Sequence, residues 1–283
     1  MDFVKKVAGI LDLIKIENAI FVLPFVYIGM LYATGLTFYK FILITIALLC
    51  ARGAGFTMNR YFGRKLDTKN PKKKNWVSVK LFSENELLAL FAFFVIVFLV
   101  VAHSLNFFAL ILAPIIIILV IAEPQAKRFT EHRHFIMGFV IGLGILGGYI
   151  GVAGDLPRTL PLYVLLAGYT FFAGANDIIY TLNHVQFDRQ NKLKTYPAKF
   201  GVEGAIKYSY ASHNIAVLLF VLFGWLSGSI EIVLGALIAG VIVQLEHQYL
   251  DFKKKNTLQV SFFNYNAAIS LIMLLSVILF KFF

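Results

Sequence analysis

The sequence predicts an all-α, polytopic membrane protein, and three observations carry that expectation. Of its 283 residues, 59% are hydrophobic, 16% aromatic and only 14% charged, too little charge to cover a soluble domain of this length. The apolar residues fall into runs of about 20, the length a helix needs to cross a hydrocarbon core roughly 30 Å thick. The basic residues collect in alternate connections between those runs, which is the pattern of a chain crossing a membrane repeatedly. Nine spans are expected, at about 18–35, 39–60, 84–103, 107–122, 135–153, 159–182, 206–228, 230–248 and 260–283. Together they make one domain over 1–283 with no soluble appendage. The single cysteine, Cys50, excludes an intrachain disulfide and a cysteine-based metal site, and reads as a small buried apolar residue.

Each element has its own signal. Phe3 to Glu17 carries Lys5, Lys6 and Lys15 with no small-residue cleavage site after it, so it is expected as a short interfacial helix ahead of a retained first span. Ser83 with Glu86 three residues on is a capping box for the third span. Ser104-Leu105-Asn106 makes a tight turn into the fourth. The fifth closes at Gly154-Asp155-Leu156-Pro157, and its glycines (138, 142, 144, 147, 148 and 151) allow close helix approach.

The connections after even-numbered spans hold Lys69, Lys72, Lys73, Lys74 and Lys80, then Lys127, Arg128 and Arg133, then Arg189, Lys192, Lys194 and Lys199, and last Lys253, Lys254 and Lys255. The opposite side has little beyond Lys40, Arg158 and Lys281. These loops and the N-terminus are therefore expected on the cytoplasmic side. The net charge of +11 reflects that topology, with a contribution from an anion site, and is no nucleic-acid signature.

Two polar rows end apolar spans. Past the second span runs Arg52-Gly-Ala-Gly-Phe-Thr-Met-Asn59-Arg-Tyr-Phe-Gly63-Arg64-Lys-Leu-Asp67, and helical spacing stacks 59, 63 and 67 on one face. The sixth span ends in Asn176-Asp177-Ile-Ile-Tyr180-Thr-Leu-Asn183-His184-Val-Gln-Phe-Asp188-Arg189, where 177, 184 and 188 share a face. Ionisable groups at that depth are costly, and a functional reading is the default.

These stretches resemble the UbiA family of intramembrane prenyltransferases. The first is similar to its Asn-x-x-x-Asp-x-x-x-Asp motif with an arginine seven residues upstream, the second to its Asp-x-x-x-Asp partner. The flanks agree: Ile14-Lys15-Ile-Glu17-Asn18, Pro24, Asn70-Pro71, Lys127-Arg128-Phe-Thr130 and Lys194-Thr-Tyr-Pro-Ala-Lys-Phe-Gly201. They most resemble the 4-hydroxybenzoate polyprenyltransferase-like branch of quinone biosynthesis. The resemblance implies nine transmembrane helices around a central cavity and transfer of a polyprenyl chain from an allylic diphosphate to an aromatic or other lipophilic acceptor. It implies magnesium, which offsets the leaving group's charge, on Asn59, Asp67 and Asp188. It also implies a diphosphate clamp from Arg52, Arg64, Lys127, Arg128 and Lys194, and catalytic roles for Asp177 and Tyr180.

The chain departs from that pattern where chemistry matters most. Gly63 and His184 stand at two of the four motif aspartates, Glu123 replaces a usual tyrosine, and Trp76 an arginine. Glycine offers no ligand atom, and a histidine nitrogen suits zinc, copper or nickel better than magnesium. Impaired or lost prenyl transfer is therefore expected. The alternative is a non-catalytic accessory subunit of a membrane complex that binds quinone, isoprenoid or lipid. Plainer readings stay open: Asn59 as a bonding residue within the bundle, Asp67 and Asp188 as surface ion-pair partners, His184 as an interfacial histidine, and Lys72 to Lys74 as a topology signal. A transporter ranks last, because the two halves show no matched Gly/Pro breaks. His213 and His247 lie in spans without a partner pattern and are assigned nothing.

Overall fold

The computed structural model describes residues 3–15, 19–68, 81–249 and 261–283, and every regular element among them is helical. In order these are α1 (Phe3–Ile14), α2 (Ala19–Leu31), α3 (Phe38–Asp67), α4 (Glu84–Leu105), α5 (Phe107–Ala122), α6 (Arg133–Ala153), α7 (Pro161–Thr181), α8 (Val185–Gln190), α9 (Tyr196–Leu226), α10 (Ile230–Tyr249) and α11 (Asn266–Phe282). Short 3-10 turns cover Glu123–Arg128 and Leu182–His184, and a π-turn, Ser261–Tyr265, leads into α11. Among the described residues, eight helices are long and apolar enough to cross a membrane, and up to nine spans result if α1 and α2 count together as one. The side chain of Asp67, the lysines at 69, 72–74, 80 and 253–255, and Glu17, Asn18, Asn70, Pro71 and Trp76 lie outside the described residues.

The punctuation read from sequence is in place. Ser83 Oγ accepts from the Glu86 amide, and Glu86 returns a carboxylate oxygen to the Ser83 amide at 2.9 Å. Asn106 ends α4 and begins α5 at once, its side chain accepting from the Ala109 amide at 2.8 Å. Gly154 closes α6 in the left-handed conformation, φ 73°, a position glycine takes without steric penalty.

Three boundaries differ from expectation. α2 has only 13 residues and stops at Leu31, so it covers about 20 Å, short of a span by itself. α9 starts at Tyr196, well before the expected start near 206, because Thr195 caps it and Pro197 fits the first turn. Gly201 then sits at φ 73°, ψ 179°, outside helical geometry, and puts an elbow in α9. The sixth span does not run on as one α-helix either: the 3-10 turn at 182–184 intervenes. At about 120° per residue instead of 100°, those three residues turn Asp188 about 60° away from the register that places it above Asp177.

The chain falls into two compact units. Unit 1 comprises Met1–Ala19 and Thr37–Gln125; unit 2 comprises Ile20–Leu36 and Ala126–Phe283. In unit 1, α3 packs on α1, α4 and α5, with Leu13, Phe82, Leu87 and Phe94 buried around Cys50 and Ala54. In unit 2, α7 is the central helix, packed on α6 and α9, and α10 joins α9 to α11. Phe25, Phe172 and Phe220 meet there with Tyr169, which lies edge-on to Phe25 at 4.7 Å between ring centroids. The glycines of α6 do what the sequence suggests at three positions. A Cβ on Gly138 would collide with the Thr170 carbonyl, one on Gly142 with Leu166, and one on Gly148 with the Val26 carbonyl. Gly147 differs, facing open space. Large apolar side chains such as Ile96, Val100, Ile118 and Leu218 are exposed, and Trp225 is exposed at the end of α9. That is the inverse of a water-soluble surface and suits a lipid solvent with an aromatic residue at its edge.

Candidate functional site

The first polar row belongs to α3 in unit 1. Asn59 is half-buried and Gly63 is buried, while Arg60 is 8% exposed. Arg52 lies over the Phe56 ring, 5.2 Å from its centroid. Arg64 donates to the Phe82 carbonyl at 2.6 Å, which ties the end of α3 to the start of α4. One of its donors is thus committed to structure.

The second row belongs to unit 2 and has a denser setting. Asp177, on α7 and 9% exposed, accepts bonds from the Arg133 guanidinium and, at 2.6 Å, from Nδ1 of His134, both at the start of α6. His134 is fully buried, and its Nε2 faces the Tyr196 backbone amide at 3.2 Å. An amide can only donate, so Nε2 is the acceptor and the proton sits on Nδ1, aimed at the carboxylate. Tyr196 also meets His132 Nδ1 through its hydroxyl at 2.9 Å. Asp177 is therefore the hub of a network joining α6, α7 and the start of α9. Tyr180, one turn further along α7, packs edge-on to the His184 ring at 5.9 Å.

Asp188 lies on α8, 6% exposed, and accepts from the Thr195 hydroxyl at 3.2 Å; its own carbonyl accepts from the Leu193 amide at 2.9 Å. The chain thus folds back on itself from Asp188 to the cap of α9. On the way Lys194 donates its amide to the Lys127 carbonyl at 2.7 Å and its ammonium to the Phe129 carbonyl at 2.8 Å. Lys127 and Lys194, 67 positions apart, are brought side by side by these loops. Arg189 pins the elbow by donating to the Ala198 carbonyl at 2.9 Å. Lys199 pairs with Glu131, and that bond holds the Glu131 carboxyl below the usual carboxylate range. The result is a basic rim beside one buried carboxylate, a chemistry that suits a phosphate-bearing ligand.

Magnesium takes hard oxygen ligands, usually carboxylates supplemented by substrate phosphate. Taken separately, neither row offers much of that: on α3 Gly63 supplies no atom, and in the second row His184 supplies nitrogen while Asp177 is already bonded to Arg133 and His134. Sequence reasoning missed that network. The available signal was an Arg-His pair opening a span, two ionisable groups at membrane depth that need a partner.

Comparison with known proteins supplies the deciding observation. The model of the UbiA prenyltransferase family matches residues 22–270. The chain belongs to this family. A 4-hydroxybenzoate octaprenyltransferase from Haemophilus ducreyi is 27% identical over 196 residues, which is 66% of each chain, so this protein spans about two thirds of that relative's length. The apo structure of a UbiA homologue from Aeropyrum pernix superposes with a TM-score of 0.81 at 26% identity, over 93% of this chain and 98% of that one. A UbiA homologue from Archaeoglobus fulgidus, bound to GPP and Mg2+, gives a TM-score of 0.73 over 95% and 99%; at 16% identity it speaks for the fold alone. UbiA membership and apolar helices together make the chain a multi-pass membrane protein.

Proposed function

We propose that this UbiA-family protein holds a polyprenyl diphosphate or quinone-like lipid in the membrane, with metal-dependent transfer to an aromatic acceptor of quinone biosynthesis impaired or lost. One observation carries the reading: glycine stands at 63 and histidine at 184, two of the four positions where the resemblance to the family motifs leads one to expect aspartate. Asn59, Asp67 and Asp188 are the oxygen ligands left, too few to hold the magnesium that would offset a departing diphosphate. The chain's own cations can still bind the phosphates. Lys127, Arg128 and Lys194 form the rim, with Arg52 and Arg64 as further contacts that the family pattern assigns. Asp177 positions the start of α9, and Tyr180 lines the same end of α7. In this reading the basic loops and the N-terminus face the cytoplasm.

The test is prenyl transfer by purified protein, from a polyprenyl diphosphate to 4-hydroxybenzoate, with and without magnesium. The expected result is no magnesium-dependent release of pyrophosphate from the natural sequence, and release once Gly63→Asp and His184→Asp are introduced together. Turnover by the natural sequence on magnesium addition would overturn the proposal. Retention of the scaffold beside the departures at Gly63 and His184, with a TM-score of 0.81 to a UbiA homologue, also favours a role as an accessory subunit. That reading expects partner proteins and bound isoprenoid on purification from native membranes; recovery as a lone metal-activated enzyme would remove it.

A further inference from the structure

A second cluster of ionisable groups lies in unit 2, on the pair α9 and α10, and neither polar row includes it. His213 is fully buried in α9, Glu246 is 1% exposed in α10, and His247 follows directly in sequence. His213 Nδ1 stands 2.9 Å from His247 Nε2 and 3.8 Å from Glu246 Oε2. One ligand atom from each of the three residues lies within 4.8 Å of the others. Adjacent residues on a helix diverge by about 100°, so two of them reach one atom only when it sits between their directions. His213 occupies that position.

Counting protons shows what the cluster lacks. Two neutral imidazoles carry two N–H groups. The contact between them satisfies one; the other must sit on His213 Nε2 or His247 Nδ1, and both atoms are buried with no hydrogen-bond partner among the described residues. A buried donor left unsatisfied costs about 1–3 kcal/mol. The surroundings fix the rings from outside: Phe172 packs on His213 at 5.8 Å, and Tyr210 packs on His247 at 5.0 Å between centroids. Tyr210 and Asn214 also bond Gln244, so the two helices are already joined one turn away.

We propose that His213, His247 and Glu246 form a site for one divalent transition-metal ion, of the zinc, cobalt or nickel class, which clamps α9 to α10. Two imidazoles and one carboxylate are a common three-ligand set for such ions, and they leave a fourth position for water or a ligand. Tetrahedral coordination at about 2.0–2.1 Å from nitrogen separates two imidazole nitrogens by about 3.3 Å, so only a few tenths of an ångström of widening is needed. The imidazole nitrogens also select against magnesium. His247 lies two residues from the end of α10 at Tyr249, so the site is near a helix mouth rather than at mid-span.

The full-length protein, purified in detergent and freed of metal with a chelator, is titrated with Co2+ alone and then with Zn2+. The expected result is one equivalent of Co2+ with visible absorption of low-symmetry nitrogen coordination. Zn2+ should displace it, a large excess of Mg2+ should not, and Zn2+ should raise the melting temperature. His247→Gln and Glu246→Gln should each weaken that equivalent at least about tenfold, the cost of disturbing even an outer-shell partner, and abolish the Zn2+-induced shift. Asp188→Asn should leave it unchanged. Absence of the equivalent in the natural protein overturns the proposal. So does binding that survives both α10 substitutions, or that follows Asp188→Asn instead. If His247→Gln does not fold, Glu246→Gln and the spectrum of the natural protein decide.

Discussion

Asp177 receives bonds from Arg133 and His134 while almost fully enclosed. Removing one partner of a buried ion pair strands the other and costs about 3–5 kcal/mol. Asp177→Asn is therefore expected to lower the melting temperature in detergent markedly, with Arg133→Gln doing the same and the double substitution costing less than the sum. A residue reserved for catalysis would leave the melting temperature where it was. The sequence singled out Asp177 as an ionisable group near the end of an apolar span, but its partners were not legible. They lie 43 and 44 positions away on another helix, and no local spacing connects them. The same blindness applies to His213 and His247, separated by 34 positions; their meeting follows from helix packing alone.

At the level of elements, local signals were read well where they are chemical. The Ser83–Glu86 box, the Asn106 turn and the Gly154 cap each rest on side-chain or φ preferences within four residues, and all stand as expected. The misses have a common cause. Leu182-Asn183-His184 contains no glycine or proline to announce the 3-10 turn, and the early start of α9 is masked by Pro197, Gly201 and Gly204, which read as helix breakers. Gly201 closes the stretch that begins at Lys194: with φ at 73° and ψ at 179°, any side chain there is strained by about 1–3 kcal/mol. Gly201→Ala should destabilise by that amount in denaturant titration. It should also disturb the Lys127–Lys194 loops that the elbow holds together, read as weaker retention of a fluorescent prenyl diphosphate. An unchanged melting point would show that α9 can straighten without cost.

For the whole molecule, the expected orientation rests on the distribution of lysines and arginines, and it is testable without knowing the reaction. With Cys50 replaced by Ser, a cysteine introduced by Lys194→Cys should react with a membrane-impermeant maleimide only after cells are opened, while Arg158→Cys should react in intact cells. The opposite pattern would invert the topology and put the basic rim on the wrong side for a cytoplasmic diphosphate. The number of spans was legible from composition almost completely, since lipid leaves a coarse imprint of length and charge. The partial exception is α2, whose 13 residues fall short of a bilayer by themselves.

Asn106 serves two helices at once. Because one residue is both the end of α4 and the beginning of α5, the loop between the two helices has essentially no length to close. The entropy lost in bringing two antiparallel segments together is then near its minimum, and their mutual contacts are among the most local in the chain. Such a hairpin can assemble as soon as its second arm has left the ribosome and enter the bilayer as a unit. It would give α3 a finished surface to dock on before the C-terminal half of the protein has been made.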